Sequence, residues 1–249
     1  MIITPGKFDA VLFDLDGVLT STMKIHATCW KRMFDNYLKE RSERRGEVHR
    51  PFNITHDYKT YVDGKLRQDG VRSFLESRGI SLSEGTPDDA PDRETVWGLG
   101  NRKDLMVKDV LDADGVEIFE SALKVVRHVR AAGLRSAVVS ASKNCELILS
   151  VAGIRNLFDC IVDGEVAARL NLAGKPAPDT FLTAARLLKV KPERAVVVED
   201  AVAGVAAGHA GGFGLVIGID HHGDRQTLEE NGADIVVEDL AEIFDLQTG

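Results

Sequence analysis

Asp14 and Asp16 stand two residues apart where an apolar run, Ala10-Val11-Leu12-Phe13, gives way to a turn at Gly17. The run has the length and composition of a short buried strand. Two carboxylates at the end of such a strand are costly unless they have partners or a task. Further polar clusters lie downstream at Ser140-Ala141-Ser142, at Gly174-Lys175-Pro176-Ala177-Pro178 and at Glu199-Asp200. Crowded carboxylates repel one another, and a hard cation such as Mg²⁺ relieves this while keeping water and phosphate oxygens among its ligands. A lysine and hydroxyl donors suit a phosphate. An aspartate can accept a phosphoryl group as nucleophile, and a second carboxyl can protonate the leaving oxygen. Phosphoryl transfer is the chemistry that uses the whole set.

The elements around these clusters must bring them together. After Thr20 the apolar residues Ala27, Trp30, Met33, Phe34, Tyr37 and Leu38 fall at helical spacing, with Ser21 or Thr22 able to cap the start. The helix runs into KERSERRGEVHR, expected to be a solvated face and loop. Val71, Phe74 and Leu75 suit a further helix, 81–100 is acidic and loop-like, and RKDLMVKDVL is helical again. No strand alternates with these helices. From Val116 onward alternation is regular, with strands at Leu134–Val139, Cys160–Val162, Ala195–Val198, Leu215–Ile219 and Ile235–Val237 separated by helices. Single helices between strands imply parallel pairing, so the expected class is α/β: a doubly wound parallel sheet, Rossmann-like, with a helical cap inserted after the first strand. The expected division is a core of residues 1–20 and 113–249 and a cap of residues 21–112. In such sheets ligands bind beyond the carboxyl ends of the strands, which is where Asp14, Ser140 and Glu199 fall.

The 249 residues suffice for a large domain or a domain with an insert. A net charge of -8 disfavours nucleic acid and anionic membranes as partners, leaving small phosphates open. Cys29, Cys145 and Cys160 share no metal spacing and read as reduced thiols of a cytoplasmic protein. The start, MIITPGK, lacks the features of a secretory signal, and no apolar run is long enough to span a membrane.

Asp14-Leu15-Asp16-Gly17-Val18, Ser140, Lys175 within GKPAP, and Glu199-Asp200 within VVVEDAVAGVAAG occur in the order of the four motifs of the haloacid dehalogenase superfamily. The chain resembles that superfamily over nearly its whole length. Thr22, His26, Trp30 and Ser140-Ala141-Ser142-Lys143-Asn144 resemble its β-phosphoglucomutase-like subfamily. The resemblance implies that Asp14 is the nucleophile and Asp16 the general acid/base. It implies Mg²⁺ on Asp14, the Asp16 carbonyl and Asp200, with Glu199 beside them. Ser140, Ala141 and Lys175 would bind the transferring phosphoryl group, with Ser142 and Asn144 close by. In the cap, Gly64 and Arg67 match a loop whose arginine grips a distal phosphate, and Arg102-Lys103 matches a basic pair near the sugar. Ser21, Asp63 and Asp104 depart from the subfamily pattern, and Lys65 follows two residues after Asp63.

The implied activity is isomerisation of β-glucose 1-phosphate to glucose 6-phosphate through a bound bisphosphate, by a monomer acting on a small sugar phosphate. A hydrolase of a sugar phosphate is the alternative, differing only in the acceptor. A phosphonatase-like lyase would need a Schiff-base lysine, for which Lys65 is conceivable. A dead binding module or a dehalogenase fits the intact motifs poorly. Among weaker signals, Asp112-Ala113-Asp114-Gly115 reads as a turn and His221-His222 as solvated loop. His26 reads as a core or hinge residue or as a group that positions Asp16. The GxxxG within Ala201–Gly214 reads as close helix–sheet packing.

Overall fold

Short runs of β-branched residues fully buried on both faces dictate a parallel sheet covered by helices. The computed structural model describes residues 2–48, 50–221 and 223–244. Strands β1 (Ala10–Phe13), β2 (Arg135–Val139), β3 (Cys160–Val162), β4 (Ala195–Glu199), β5 (Leu215–Ile219) and β6 (Ile235–Val237) form one parallel sheet in the order β3-β2-β1-β4-β5-β6. The order reverses beside β1, which is the topological switch point where such sheets open a crevice. Phe13 is level with Val138 of β2 and Val198 of β4, so Asp14, Val139 and Glu199 emerge side by side.

The chain divides into two compact units, Met1–Ser21 with Val116–Gly249, and Thr22–Gly115. In the sheet unit, α4 (Glu120–Ala131) precedes β2. Helices α5 (Cys145–Val151), α6 (Gly164–Leu170), α7 (Asp179–Leu188), α8 (Val202–Ala210) and α9 (Arg225–Glu230) follow it. Phe181, Ala184 and Leu188 of α7 and Val205 and Ala207 of α8 pack on the sheet face formed by Ala10, Leu12, Ala137, Val139 and Val197. Gly208 makes the α8 contact possible, because a Cβ there would lie 3.1 Å from Val197 Cγ1 and 3.2 Å from Val216 Cγ2. Helix α6 has no apolar stripe long enough to announce it. It forms because the Asp163 carboxylate accepts the backbone N–H groups of Glu165 and Val166.

The second unit is helical: α1 (Met23–Arg45), a wide-turn π-helix (Ile54–Val62), α2 (Arg67–Ser77) and α3 (Val96–Asp114). The charged stretch after Leu38 stays helical to Arg45 and stops at Gly46, whose φ of 67° suits a left-handed terminus. Helix α3 begins earlier than its charged segment suggests, because Thr95 caps it by accepting the Gly98 N–H at 2.9 Å. Asp112 and Ala113 belong to its last turn, and Gly115 ends it with φ 72°. The acidic stretch 81–95 is an ordered loop around the buried Asp89 carboxylate, which accepts from Thr86, Arg93 and Thr95. The unit's core is aromatic: Phe34 lies 5.2 Å from Trp30, 5.4 Å from Phe52 and 4.1 Å from Phe74 between ring centroids. Among the described residues no helix is long and apolar enough to cross a membrane.

Phe34→Ala should remove the centre of this stack and cost the helical unit about 3–5 kcal/mol. A urea titration read by tryptophan fluorescence should show an earlier transition; an unchanged midpoint would contradict the stack's role.

Candidate active site

Lys175 lies in the loop between α6 and α7, 161 residues from Asp14 in sequence, yet its ammonium lies 2.5 Å from Asp14 Oδ1. It lies 2.5 Å from Glu199 Oε1, donates to the Val139 carbonyl at 3.1 Å, and sits 4.9 Å from the Phe181 ring centroid. Lys175 is 3% exposed, Glu199 0% and Asp14 7%, so these charges meet out of bulk water. An ammonium so buried requires ionic partners. β1 supplies Asp14, β4 supplies Glu199, and the sheet register sets them on either side of the lysine.

Glu199 is fixed at both oxygens. Oε1 takes the lysine, and Oε2 accepts the backbone N–H groups of Asp200 at 2.9 Å and Ala201 at 2.8 Å. Its closeness to α8 depends on Gly204, where an added Cβ would lie 1.8 Å from Glu199 Oε1. The GxxxG segment therefore has two uses: Gly208 seats the helix on the sheet, and Gly204 leaves room for the carboxylate.

Burial is the largest influence on the Asp14 carboxyl and pushes its pKa up; Lys175 pulls it down, and the neighbouring charges of Glu199 and Asp16 push it up again. The net direction is upward. Burial lowers the pKa of Lys175, but Asp14 and Glu199 more than offset this and hold it cationic. Three carboxyl groups, those of Asp14, Glu199 and Asp16, thus bear on one ammonium.

The end of β2 supplies the third part. Ser140 is buried, its N–H is fixed to the Val162 carbonyl at 3.0 Å, and its hydroxyl accepts the Ser142 N–H at 3.0 Å. The Ser142 hydroxyl accepts the Asn144 N–H at 3.2 Å. Ala141 lies in this turn, and the start of α6 approaches it closely, since a Cβ on Gly164 would lie 2.8 Å from the Ala141 carbonyl oxygen. Asp16 sits in the turn after β1, bridged to Thr20, and Asp200 follows Glu199. Asp14 and Asp200 offer carboxylates and the Asp16 backbone a carbonyl. Such a set suits Mg²⁺, which takes one or two protein carboxylates and fills its shell with water and phosphate oxygens. The crowding of Glu199 and Asp16 on Asp14 is the local feature a divalent cation would relieve. Among the described residues no three His, Cys, Asp or Glu side chains are grouped to enclose a metal ion.

The residues of the helical unit form two clusters of their own. The Thr22 carbonyl accepts the His26 N–H at 3.0 Å, and Lys103 Nζ lies 2.6 Å from His26 Nδ1 and 5.1 Å from the Trp30 ring centroid. A charged lysine only donates, so Nδ1 is the acceptor here. Gly64 turns with φ 67° ahead of α2, where Arg67 forms a half-buried ion pair with Asp104. Asp104 also reaches Lys108 at 3.1 Å, so the departure at this position has a partner in the arginine. Lys65 donates to the Ser73 hydroxyl at 3.0 Å and the Thr60 carbonyl at 3.4 Å, which ties the π-helix to α2.

His221 is not solvated loop. Its Nε2 lies 2.6 Å from the Gly17 carbonyl oxygen, and its ring stacks on Phe119. His222 lies outside the described residues. Phe181, Gly164 and Gly204 were not legible as site residues, because an apolar ring and two glycines carry no chemistry of their own.

The sequence pattern of the haloacid dehalogenase-like hydrolases matches residues 8–212, and the chain belongs to that family. It is an enzyme of the β-phosphoglucomutase-like, phosphoryl-transferring branch. It is 51% identical over 243 residues to a β-phosphoglucomutase of Mycobacterium bovis, covering 96% of this chain and 93% of that one. A Bacillus subtilis β-phosphoglucomutase is 27% identical over 234 residues, covering 94% and 91% respectively. In fold it resembles a β-phosphoglucomutase crystal structure from Clostridium difficile, with TM-score 0.75 and 24% identity over 95% of this chain and 93% of that one.

A folded pKa raised above the unfolded value of about 3.9 means that stability belongs to the protonated Asp14 and is lost as pH rises through the folded value. At pH above the ordinary carboxylate range Asp14 therefore counts against stability. In metal-free buffer the melting point of the native chain should gain on that of Asp14→Asn as pH falls toward that range; a difference that does not change with pH would contradict the raised pKa. Gly204→Ala should cost about 1–3 kcal/mol by forcing Glu199 aside, seen as an earlier denaturant midpoint.

Proposed function

We propose that the chain converts β-glucose 1-phosphate to glucose 6-phosphate through an aspartyl phosphate on Asp14, as a cytoplasmic monomer. The observation that carries this is the buried ammonium of Lys175 set between Asp14 and Glu199 at the switch point of the sheet. The name borne by the 51% identical mycobacterial relative supports the choice of substrate.

One Asp14 carboxylate oxygen attacks phosphorus, the bond from phosphorus to the sugar oxygen breaks, and Asp16 gives that oxygen a proton. In the return half, Asp16 takes the proton from the other sugar hydroxyl, whose oxygen attacks the aspartyl phosphate and frees Asp14. Lys175 opposes the charge on the transferring oxygens, and Ser140 with the Ala141 N–H orients them. Mg²⁺, held by Asp14, the Asp16 carbonyl and Asp200, would supply further charge neutralisation. Glu199 serves by holding Lys175, since both its oxygens are engaged. In the helical unit, Arg67 and Lys103 would recognise the second phosphate and the sugar, with Gly64, Lys65, Thr22 and His26 supporting them, and a sugar bisphosphate would prime the cycle. Three free cysteines, two of them buried, suit a reducing compartment.

Purified protein given β-glucose 1-phosphate, Mg²⁺ and a bisphosphate primer should form glucose 6-phosphate, read by a coupled dehydrogenase. Release of free phosphate without glucose 6-phosphate would identify a hydrolase instead. Asp14→Asn should abolish turnover. Chelation should abolish it reversibly without changing the far-ultraviolet circular dichroism spectrum.

A further inference from the structure

The turn that carries Asp16 is built mainly from its own backbone. The N–H groups of Leu19 and Thr20 bond the Leu15 carbonyl at 2.9 and 3.0 Å, and the Gly17 N–H bonds the Thr20 carbonyl at 2.8 Å. Gly17 turns with φ 87°, a conformation that costs a glycine little. Its carbonyl meets His221 Nε2 at 2.6 Å, from a loop 204 residues on. A carbonyl oxygen only accepts, so Nε2 carries the hydrogen. The imidazole is held in turn by Phe119, 5.6 Å between centroids at 20° between planes. The Phe119 N–H bonds the Leu19 carbonyl at 3.0 Å, so ring and turn are braced by the same residue.

Asp14 is held by other means. Its N–H bonds the Val198 carbonyl at 2.9 Å and its side chain meets Lys175. We propose that His221 is a positioning residue for Asp16: by holding the Gly17 carbonyl it sets the turn that aims the proton-transferring carboxyl, while the nucleophile is held independently. This rests on the assignment of Asp16 as acid/base made above. The bond between His221 and Gly17 matters most where the leaving oxygen needs a proton.

The test is rapid-quench measurement of leaving-group release in a single turnover, from a sugar bisphosphate, a poor leaving group, and from p-nitrophenyl phosphate, a good one. Asp16→Asn should slow sugar release far more than nitrophenolate release; equal losses in that variant would defeat the assignment of Asp16 itself. Given that asymmetry, His221→Ala should slow sugar release roughly 10- to 100-fold and nitrophenolate release several-fold less. His221→Gln, whose amide N–H can replace Nε2–H, should recover most of the loss. In the Asp16→Asn background, His221→Ala should add little, because the two act through one group. Equal losses on both substrates, or losses that simply add to those of Asp16→Asn, would overturn the positioning role and leave His221 a stabilising contact only.

Discussion

A lysine ammonium buried with two carboxylates is the constraint on which the site depends. Moving such charges out of water costs several kcal/mol per ion unless geometry and hydrogen bonds compensate. Compensation here comes from backbone placement. Three neighbouring parallel strands end at one level, so Asp14, the Val139 carbonyl and Glu199 converge on Lys175. The first amides beyond β4 take the remaining oxygen of Glu199. The ring of Phe181 lies near the lysine, where a cation is favoured over the aromatic face. The sheet order, the register and a glycine in α8 thus all serve one buried charge.

The helical unit pairs its buried and half-buried cations by the same rule. Lys103 is 6% exposed and finds an imidazole nitrogen and an indole ring. Arg67 finds Asp104. The acidic loop ahead of α3 steadies this region: Asn101 donates to the carbonyls of Pro87 and Asp89, and Arg102 to that of Pro91. The residues that flank Lys103 are therefore fixed from one side by a loop whose own centre is a buried aspartate.

Much of this was legible in the chain. The β-branched runs announced the strands because burial on both faces leaves a continuous apolar signal, and the polar residues at their ends announced the edge at which they meet. Asp14, Lys175 and Glu199 stood out by their motifs, and these three side chains lie in contact. What could not be read depended on long-range fit. The π-helix over Ile54–Val62 has no apolar period to betray it, and α6 arises from one capping aspartate. Gly204 looked like ordinary helix–sheet packing until Glu199 was seen against it. His221 looked like solvated loop because its partner is a backbone carbonyl, and no side-chain pattern records that. Asp104 stood out only as a departure until Arg67 was found beside it.

Thr20 pairs with Ile118 in an antiparallel bridge, and the Ser21 N–H bonds the Glu117 carbonyl at 3.0 Å. The chain therefore leaves the sheet unit and rejoins it at a single stitched point. A segment whose two ends lie side by side can be lengthened, shortened or exchanged with little strain on what it interrupts. The helical unit can therefore change in length or sequence without altering the strand register that holds the buried lysine.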